Sequence, residues 1–537
     1  MKRIAVYDTT LRDGAQGEGV SFSPPGRVRV ARRLDALGVA YIEGGFAASN
    51  PRDMALFREL ASAPLQHARL TAFGSTRRAG VPVAEDAGVR ALLEAGTEAV
   101  TIFGKSWTLH VQDVLRTTRN ENLAMIADTV RLLKAEGREV IYDAEHFFDG
   151  AREHRDYAMA TLKAAAEAGA DILVLCDTNG GALPGEVADI TRAVVNAFDR
   201  PVGIHAHNDG DLATANTLAA VQAGAVHVQG TVNGLGERTG NANLCAILPN
   251  LELKLGLRGL PDGGLRQLRD VSEFVFEMAN LRPSPKAPFV GTSAFAHKAG
   301  MHVDGVRKNR RSFEHIDPEA VGNRRRILVS ELSGASNVFL KAVELGLHLE
   351  RSSPEVREVL RELERLEKAG YEFEAAEASF KLMVKKVLKS HRPFFSLEGF
   401  RVIVEKRHPD EPCISEASLK LKVNGVIEHT VGEGDGPVDA LNHALRKALM
   451  RAYPQVADVV LTDYRVRILD PEEATAAKTR VLVESSDGHR SWDTVGVSDN
   501  IIEASWEALV DGVEYKLFLE EEAGGAPPAR ANGTAEP

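Results

Sequence analysis

The chain has 537 residues, a formal net charge of −11, 44% hydrophobic residues and 26% charged residues. That length exceeds what one core usually sustains and predicts two or three packed units, while the acidic balance argues against a nucleic-acid partner, whose phosphates need an excess of Lys and Arg. No apolar run approaches the roughly 18 residues that span a bilayer, and MKRIAVYDTTLRDG is too poor in apolar residues for a signal-peptide core, so no membrane partner and a cytoplasmic location are expected.

From the N-terminus to about residue 230, short β-branched runs alternate with helical patterns. IAVYD is followed by a helix over Pro24 to Leu37, then VAYIEG, LTAFG, AVTIFG, EVIYDAEH, DILVLCDTN, VGIHAH and AVHVQGTVN, each pair separated by an amphipathic or Ala-rich stretch. Eight such units in roughly 250 residues predict a (β/α)8 barrel, the α/β class, with its site where polar residues gather after the strands. An open doubly wound sheet is the alternative, and the lack of GxGxxG at the first helix weighs against it.

RPSPKAPFVG then breaks the pattern, and a second unit begins near residue 280. In it, Val356, Val359, Leu360, Leu363 and Leu366 mark one face of a packing helix over Pro354 to Lys368. Farther on, HTVGEGDGPVDALNHALRKAL from His429 lines up with DTVGVSDNIIEASWEALVDGV from Asp493, each preceded by alternating strands. This repeat predicts a pseudo-symmetric α+β domain, suited to sensing or assembly. The expected domains are a catalytic barrel over 1–275, a linker subdomain over 276–394, a regulatory or dimerisation domain over 395–522 and a disordered Ala/Gly/Pro-rich tail over 523–537. Cys176, Cys245 and Cys413 are far apart with no CxxC pair and read as reduced thiols.

His205 and His207 stand two apart on the seventh strand, so both imidazoles face one side. Strands one and seven are near neighbours in a closed barrel, which brings Asp13 toward the pair; Asn241 in GLGERTGN can add an amide oxygen. This mixed N and O set suits a divalent cation, with Mn, Mg, Co and Zn all open. Arg12 is either a fixed cation for a substrate oxygen that gains charge or a structural ion pair to a barrel carboxylate. Glu145 and His146 end strand five and Thr178 follows strand six, all expected at the barrel mouth, with Glu145 either an acid/base group or a hydrogen-bonded orienter. Gly234, Gly236 and Gly240 serve either an anion or a tight turn. Arg307, Lys308, Arg310 and Arg311, with Arg324 to Arg326, are either a nucleotide-phosphate contact or a solvated face.

DTTLRDGAQ, CDTNG, HAHND with GLGERTGN, and AHKAGMHVDGV together resemble the motif set of the α-isopropylmalate synthase, homocitrate synthase and citramalate synthase family, from residue 3 to about residue 520. DGAQGEGVSFS, YIEGG, EHFFDG, LCDTNGG and NANLCAILPNL are closest to the longer citramalate-forming branch. The resemblance implies a Claisen-type condensation of acetyl-CoA with a 2-oxo acid: pyruvate first, with 2-oxoisovalerate or 2-oxoglutarate as alternatives. It implies metal ligation by Asp13, His205, His207 and Asn241, polarisation of the keto oxygen by Arg12, a carboxylate contact from Thr178, a catalytic His302 with Asp304 on the CoA side, and proton movement by Glu145 and His302. It further implies a homodimer in which His302 of one chain serves the other's barrel, and an end-product effector, isoleucine for a pyruvate-using enzyme. Phe313 departs from the Tyr of many relatives, which puts a phenol role there in doubt. A lyase of the same barrel superfamily, similar to hydroxymethylglutaryl-CoA lyase, is the rival from another class, but GLGERTGN lacks the Cys such lyases carry.

Overall fold

The computed structural model describes residues 2–48, 51–328, 342, 354–469 and 477–522. The expected tail over 523–537 lies outside them. The chain divides into two compact units, Met1–Phe295 with Glu314–Arg325, and Ala296–Phe313 with Arg326–Pro537.

The first unit is a closed parallel barrel whose strands follow chain order: β1 (Ala5–Asp8), β2 (Tyr41–Phe46), β3 (Arg69–Ser75), β4 (Ala99–Lys105), β5 (Glu139–Glu145), β6 (Ile172–Asp177), β7 (Val202–Ala206) and β8 (His227–Gly230). β8 closes on β1 with Asp8 opposite Gly230. All eight predicted strands form. Each is buried on both sides, which is why the sequence shows apolar runs where half-exposed strands would alternate. One parity faces outward, with Leu173, Leu175, Ile204 and Val228 packed in the large core beneath the helices. The other parity fills the barrel itself, where Tyr7, Tyr41, Ile141, Ile172, Val174 and Cys176 form a separate cluster. Continuing that inward parity along the strands reaches Glu43, Asp143, Gln229 and His205, so the apolar plug gives way to polar groups at the C-terminal mouth.

The connecting helices begin and end on local signals. α1 (Pro24–Leu37) starts with Pro24 at its first turn and with the Ser23 hydroxyl accepting from Gly26 N–H at 3.1 Å, a cap worth about 1 kcal/mol. It stops at Gly38, whose φ of 91° is left-handed. Val30, Ala31, Leu34 and Leu37 of α1 are buried.

In the second unit, α2 (Pro354–Ala369) buries Val356, Val359 and Leu363, with Leu360 and Leu366 partly buried beside them, as the periodicity predicts. Their cluster includes Phe380, Met383 and Val384 of α3 (Glu377–Val387) and Val495. Two three-stranded antiparallel sheets follow: β9 (Phe395–Glu405), β10 (Ile414–Val423) and β11 (Val426–Gly434), then β12 (Val460–Ile468), β13 (Thr479–Ser486) and β14 (Ser491–Ser498). Each sheet leads into one helix, α4 (Pro437–Leu449) and α5 (Ile501–Glu522).

The internal repeat extends to single hydrogen bonds. Thr430 Oγ1 donates to Ala444 O at 2.8 Å, and Thr494 Oγ1 donates to Ala508 O at 2.8 Å. Gly432 and Gly496 sit where a Cβ would come within 2.5 Å and 2.0 Å of helix backbone, so both copies need Gly for strand and helix to approach. Among the described residues no helix is long and apolar enough to cross a membrane.

Candidate active site

The first loop places Arg12 and Asp13 over the barrel mouth, and a fully buried carboxylate fixes them there. Glu43 accepts from the Tyr7 hydroxyl at 2.5 Å, from the Thr9 hydroxyl, and from Arg12 Nε at 2.5 Å. The guanidinium lies with Cζ 3.8 Å from the centre of the Phe73 ring, and its Nη1 is 3.3 Å from Asp13 Oδ2. Arg12 therefore does make a structural ion pair and still lines the cavity at the mouth.

β7 ends in the two histidines, both buried. His205 Nε2 is 3.4 Å from Asp13 Oδ2, His207 Nε2 is 3.9 Å from the same oxygen, and the two Nε2 atoms are 3.3 Å apart. Asp13, His205 and His207 thus form a group able to hold a metal ion. Asn241 lies beside them through an antiparallel bridge to His207; its Nδ2 donates to Leu235 O at 3.1 Å, while its buried Oδ1 makes no hydrogen bond. The glycines of the 234–240 loop make this placement possible. A Cβ on Gly240 would fall 2.0 Å from Gly234 O, and one on Gly236 would fall 2.2 Å from Asn241 Nδ2.

Charge at the cluster is divided unevenly. Burial pushes the Asp13 carboxyl up, but Arg12 and the two imidazoles outweigh it and hold the acid well below the usual carboxylate range. Burial also opposes a charged His205, yet the Asp13 contact raises its pKa overall. His207, buried and next to His205, is pushed down to about 3 and keeps a neutral ring. Asp143 on β5 is raised to about 7 by burial, with His205 opposing and Glu43 adding to the rise.

The cavity has a volume of about 250 Å³ and is lined by Arg12, Asp13, Glu145, Thr178, His205 and His207, with Phe46, Phe73 and Phe103 on its apolar side. Phe73 stacks on Phe103 with centroids 5.3 Å apart, and Phe46 meets Phe73 edge-on at 5.7 Å. Glu145 pairs with Lys105 at the end of β4. Thr178 Oγ1 accepts from His146 N–H at 2.9 Å, and its carbonyl accepts from Arg238 Nη2 at 2.9 Å. His146 itself does not line the cavity: a left-handed φ of 57° turns it so that its ring sits 4.0 Å from that of His110.

His302 and Asp304 belong to the second unit, on a short helix over Gly300–Lys308. The exposed His302 ring stacks on Phe313 at 4.2 Å, and Asp304 pairs with Lys308 at 2.5 Å and Arg307 at 3.4 Å. Of the basic residues read from the sequence, Arg325 is engaged by Glu314 within the first unit. Glu43, Lys105, Asp143 and Gln229 went unread in the sequence. Each shares the inward parity of its strand, with Tyr41, Thr101, Ile141 and His227 in turn, and that parity is the signal that finds them.

Three family models match in order along the chain: HMGL-like over residues 3–275, homocitrate synthase post-HMGL domain-like over 289–370, and LeuA allosteric (dimerisation) domain over 374–517. The barrel with its Asp and His cluster is thus an HMGL-like catalytic domain joined to a LeuA-type C-terminal region. The (R)-citramalate synthase of Geobacter sulfurreducens is 51% identical over 526 residues, 98% of this chain and 100% of that protein. That of Synechocystis sp. is 53% identical over 96% of each chain. The 2-isopropylmalate synthase of Methanocaldococcus jannaschii is more distant, at 31% identity over 97% of this chain and 96% of that protein. The chain belongs to the (R)-citramalate synthase family.

Proposed function

We propose that this chain condenses the acetyl group of acetyl-CoA with pyruvate and hydrolyses the thioester, giving (R)-citramalate and CoA for isoleucine biosynthesis. The observation that carries the reading is the meeting of Asp13 Oδ2 with two imidazole Nε2 atoms within 3.9 Å, in a cavity that also holds Arg12 and Glu145.

The donor set fits a divalent cation: one carboxylate held ionised, two imidazoles, and an Asn241 oxygen that is buried with no other partner. A cation held by Asp13, His205, His207 and Asn241 supplies Lewis acidity toward a bound 2-oxo acid. Arg12, locked by Glu43 and the Phe73 ring, directs its charge to the keto oxygen, which becomes negative as the new bond forms. The Thr178 hydroxyl accepts from His146 N–H and so keeps its own proton for the oxo-acid carboxylate. Glu145 and His302 are the groups that move protons: one must leave the acetyl methyl carbon, which then bonds to the keto carbon, and the alkoxide must regain one. Asp304 contributes on the CoA side. Water then adds to the thioester carbonyl and CoA leaves as the thiol.

The Phe46, Phe73 and Phe103 wall suits the methyl group of pyruvate better than a charged or long side chain. The LeuA-type match supports a homodimer and an amino-acid effector, which we assign to isoleucine. CoA release from acetyl-CoA, followed with a thiol reagent in the presence of pyruvate, 2-oxoisovalerate or 2-oxoglutarate, tests the assignment. Pyruvate is expected to give the highest kcat/KM; a preference for either alternative overturns it.

A further inference from the structure

We propose that Gln229 is a positioning residue for the metal centre, fixing the ring orientation and tautomer of His205 so that Nε2 presents its lone pair to the cation. The proposal rests on the reading of His205 as a ligand.

Gln229 lies on β8, fully buried, two residues along the inward parity from His227. Its Oε1 is 2.9 Å from His205 Nδ1. Its Nε2 donates to Asp143 Oδ1 at 3.0 Å and stands 3.5 Å from His227 Nε2. A primary amide has one accepting end and one donating end, so its neighbours decide which way it faces. One acceptor of fixed role meets the nitrogen end here. Asp143 offers a carboxylate oxygen, and His227 is fully buried beside it, packed against the rings of Tyr7 and Tyr41 at 5.4 and 5.7 Å. Turning the amide over would set Oε1 against the Asp143 carboxylate and lose that donation.

With Oε1 facing His205, Nδ1 must carry the imidazole proton to complete the bond. A neutral imidazole has one N–H, so Nε2 is left with its lone pair, and Nε2 is the atom that meets Asp13 and His207. The ring cannot rotate to exchange its nitrogens without breaking a buried hydrogen bond to an amide that is itself tied on its far side. Partners of this kind raise ligand basicity and hold the ring, and their loss typically costs about 10- to 100-fold in metal affinity.

The test is a calorimetric titration of Mn2+ alone into chelator-stripped full-length protein at pH 8, with melting curves alongside. Gln229→Met removes the acceptor at similar volume and is expected to bind Mn2+ about 10- to 100-fold more weakly than wild type. Gln229→Glu restores an acceptor toward Nδ1–H, sharing a proton with Asp143 as close buried carboxylates do, and is expected to bind close to wild type. Wild-type affinity in Gln229→Met overturns the proposal, as does equal weakening in both variants, since a merely space-filling role predicts no rescue. Should Gln229→Met not melt cooperatively, Asp143→Leu, which frees the amide to turn, replaces it: weaker Mn2+ binding supports the proposal and unchanged binding overturns it. Failure of the metal reading looks different, because wild type then binds no Mn2+ or His205→Ala binds it as well as wild type.

Discussion

His205 and His207, two residues apart on one strand, bring their Nε2 atoms to 3.3 Å from each other, so that both nitrogens can serve one cation. Asp13 Oδ2 completes the triangle at 3.4 and 3.9 Å. His207→Ala is therefore expected to cut turnover by at least about 100-fold while the melting temperature stays within a few degrees of wild type. Near-normal CoA release from a chelator-washed sample of this variant would remove His207 from the centre.

Glu145 occupies the cavity without belonging to the Asp13 cluster, and its Lys105 partner holds it in place from the adjacent strand. Glu145→Gln keeps the shape and removes the carboxylate proposed to exchange protons. It is expected to lower kcat by about 10²- to 10⁴-fold and to leave Mn2+ affinity close to wild type. A variant that loses metal instead would make Glu145 an orienter of the centre and leave His302 as the proton carrier.

His227 makes the barrel sensitive to acid. Burial pushes it down to about 3, against about 6.5 for an unperturbed imidazole. Its folded pKa is thus depressed, and below pH 6.5 the unfolded chain takes up a proton that the folded chain refuses. Stability is full above pH 6.5 and falls toward pH 3, with a limiting slope of about 1.4 kcal/mol per pH unit. Asp143, raised to about 7, works in the opposite sense, so the parent-minus-variant difference isolates the histidine. In urea melts between pH 8 and pH 4.5, His227→Gln should lose less stability than the parent. Parallel losses in the two proteins would assign the acid sensitivity elsewhere.

Much of the barrel was legible because strands buried on both sides must be apolar throughout, and VGIHAH and DILVLCDTN break that rule only where the site begins. The same reasoning places His205 and His207 on one face. It passed over Glu43 and Gln229 because neither belongs to a motif; only parity, with Tyr41 for the one and His227 for the other, shows that they face inward. His146 was read as facing the mouth because it follows Glu145, but its left-handed backbone turns the ring onto His110. His302 and Asp304 rested on family resemblance, since neither lies in a pattern whose spacing implies chemistry.

The repeat makes a local prediction. Thr494→Val removes the hydroxyl that donates to Ala508 O and is expected to cost the second unit about 1 kcal/mol, while Thr430→Val costs a similar amount through Ala444. Gly496→Ala should cost more, because the added Cβ would meet Ala504 O at 2.0 Å and backbone must shift to admit it. Hydrogen exchange across α4 and α5 separates the cases: each Thr variant should raise exchange mainly in its own copy.

Inhibition by isoleucine is the test of the C-terminal region as a sensor. Removing that region near residue 395 would be a poor experiment, because Val495 completes the cluster that covers Val359, Leu363 and Phe380, and truncation would expose it. A full-length variant avoids the problem. If isoleucine binds the repeated domain and favours one of two arrangements, the coupling is about 1 to 3 kcal/mol and inhibition reaches about 5- to 150-fold at saturation. Gly496→Ala, which disturbs the packing of β14 on α5, should lose most of that inhibition while CoA release without isoleucine stays close to wild type. Light scattering of both proteins should report a dimer, so that lost sensitivity is not lost assembly. A full-length enzyme that ignores isoleucine, leucine, valine and lysine at millimolar levels has no such sensor, and its repeat then serves assembly alone.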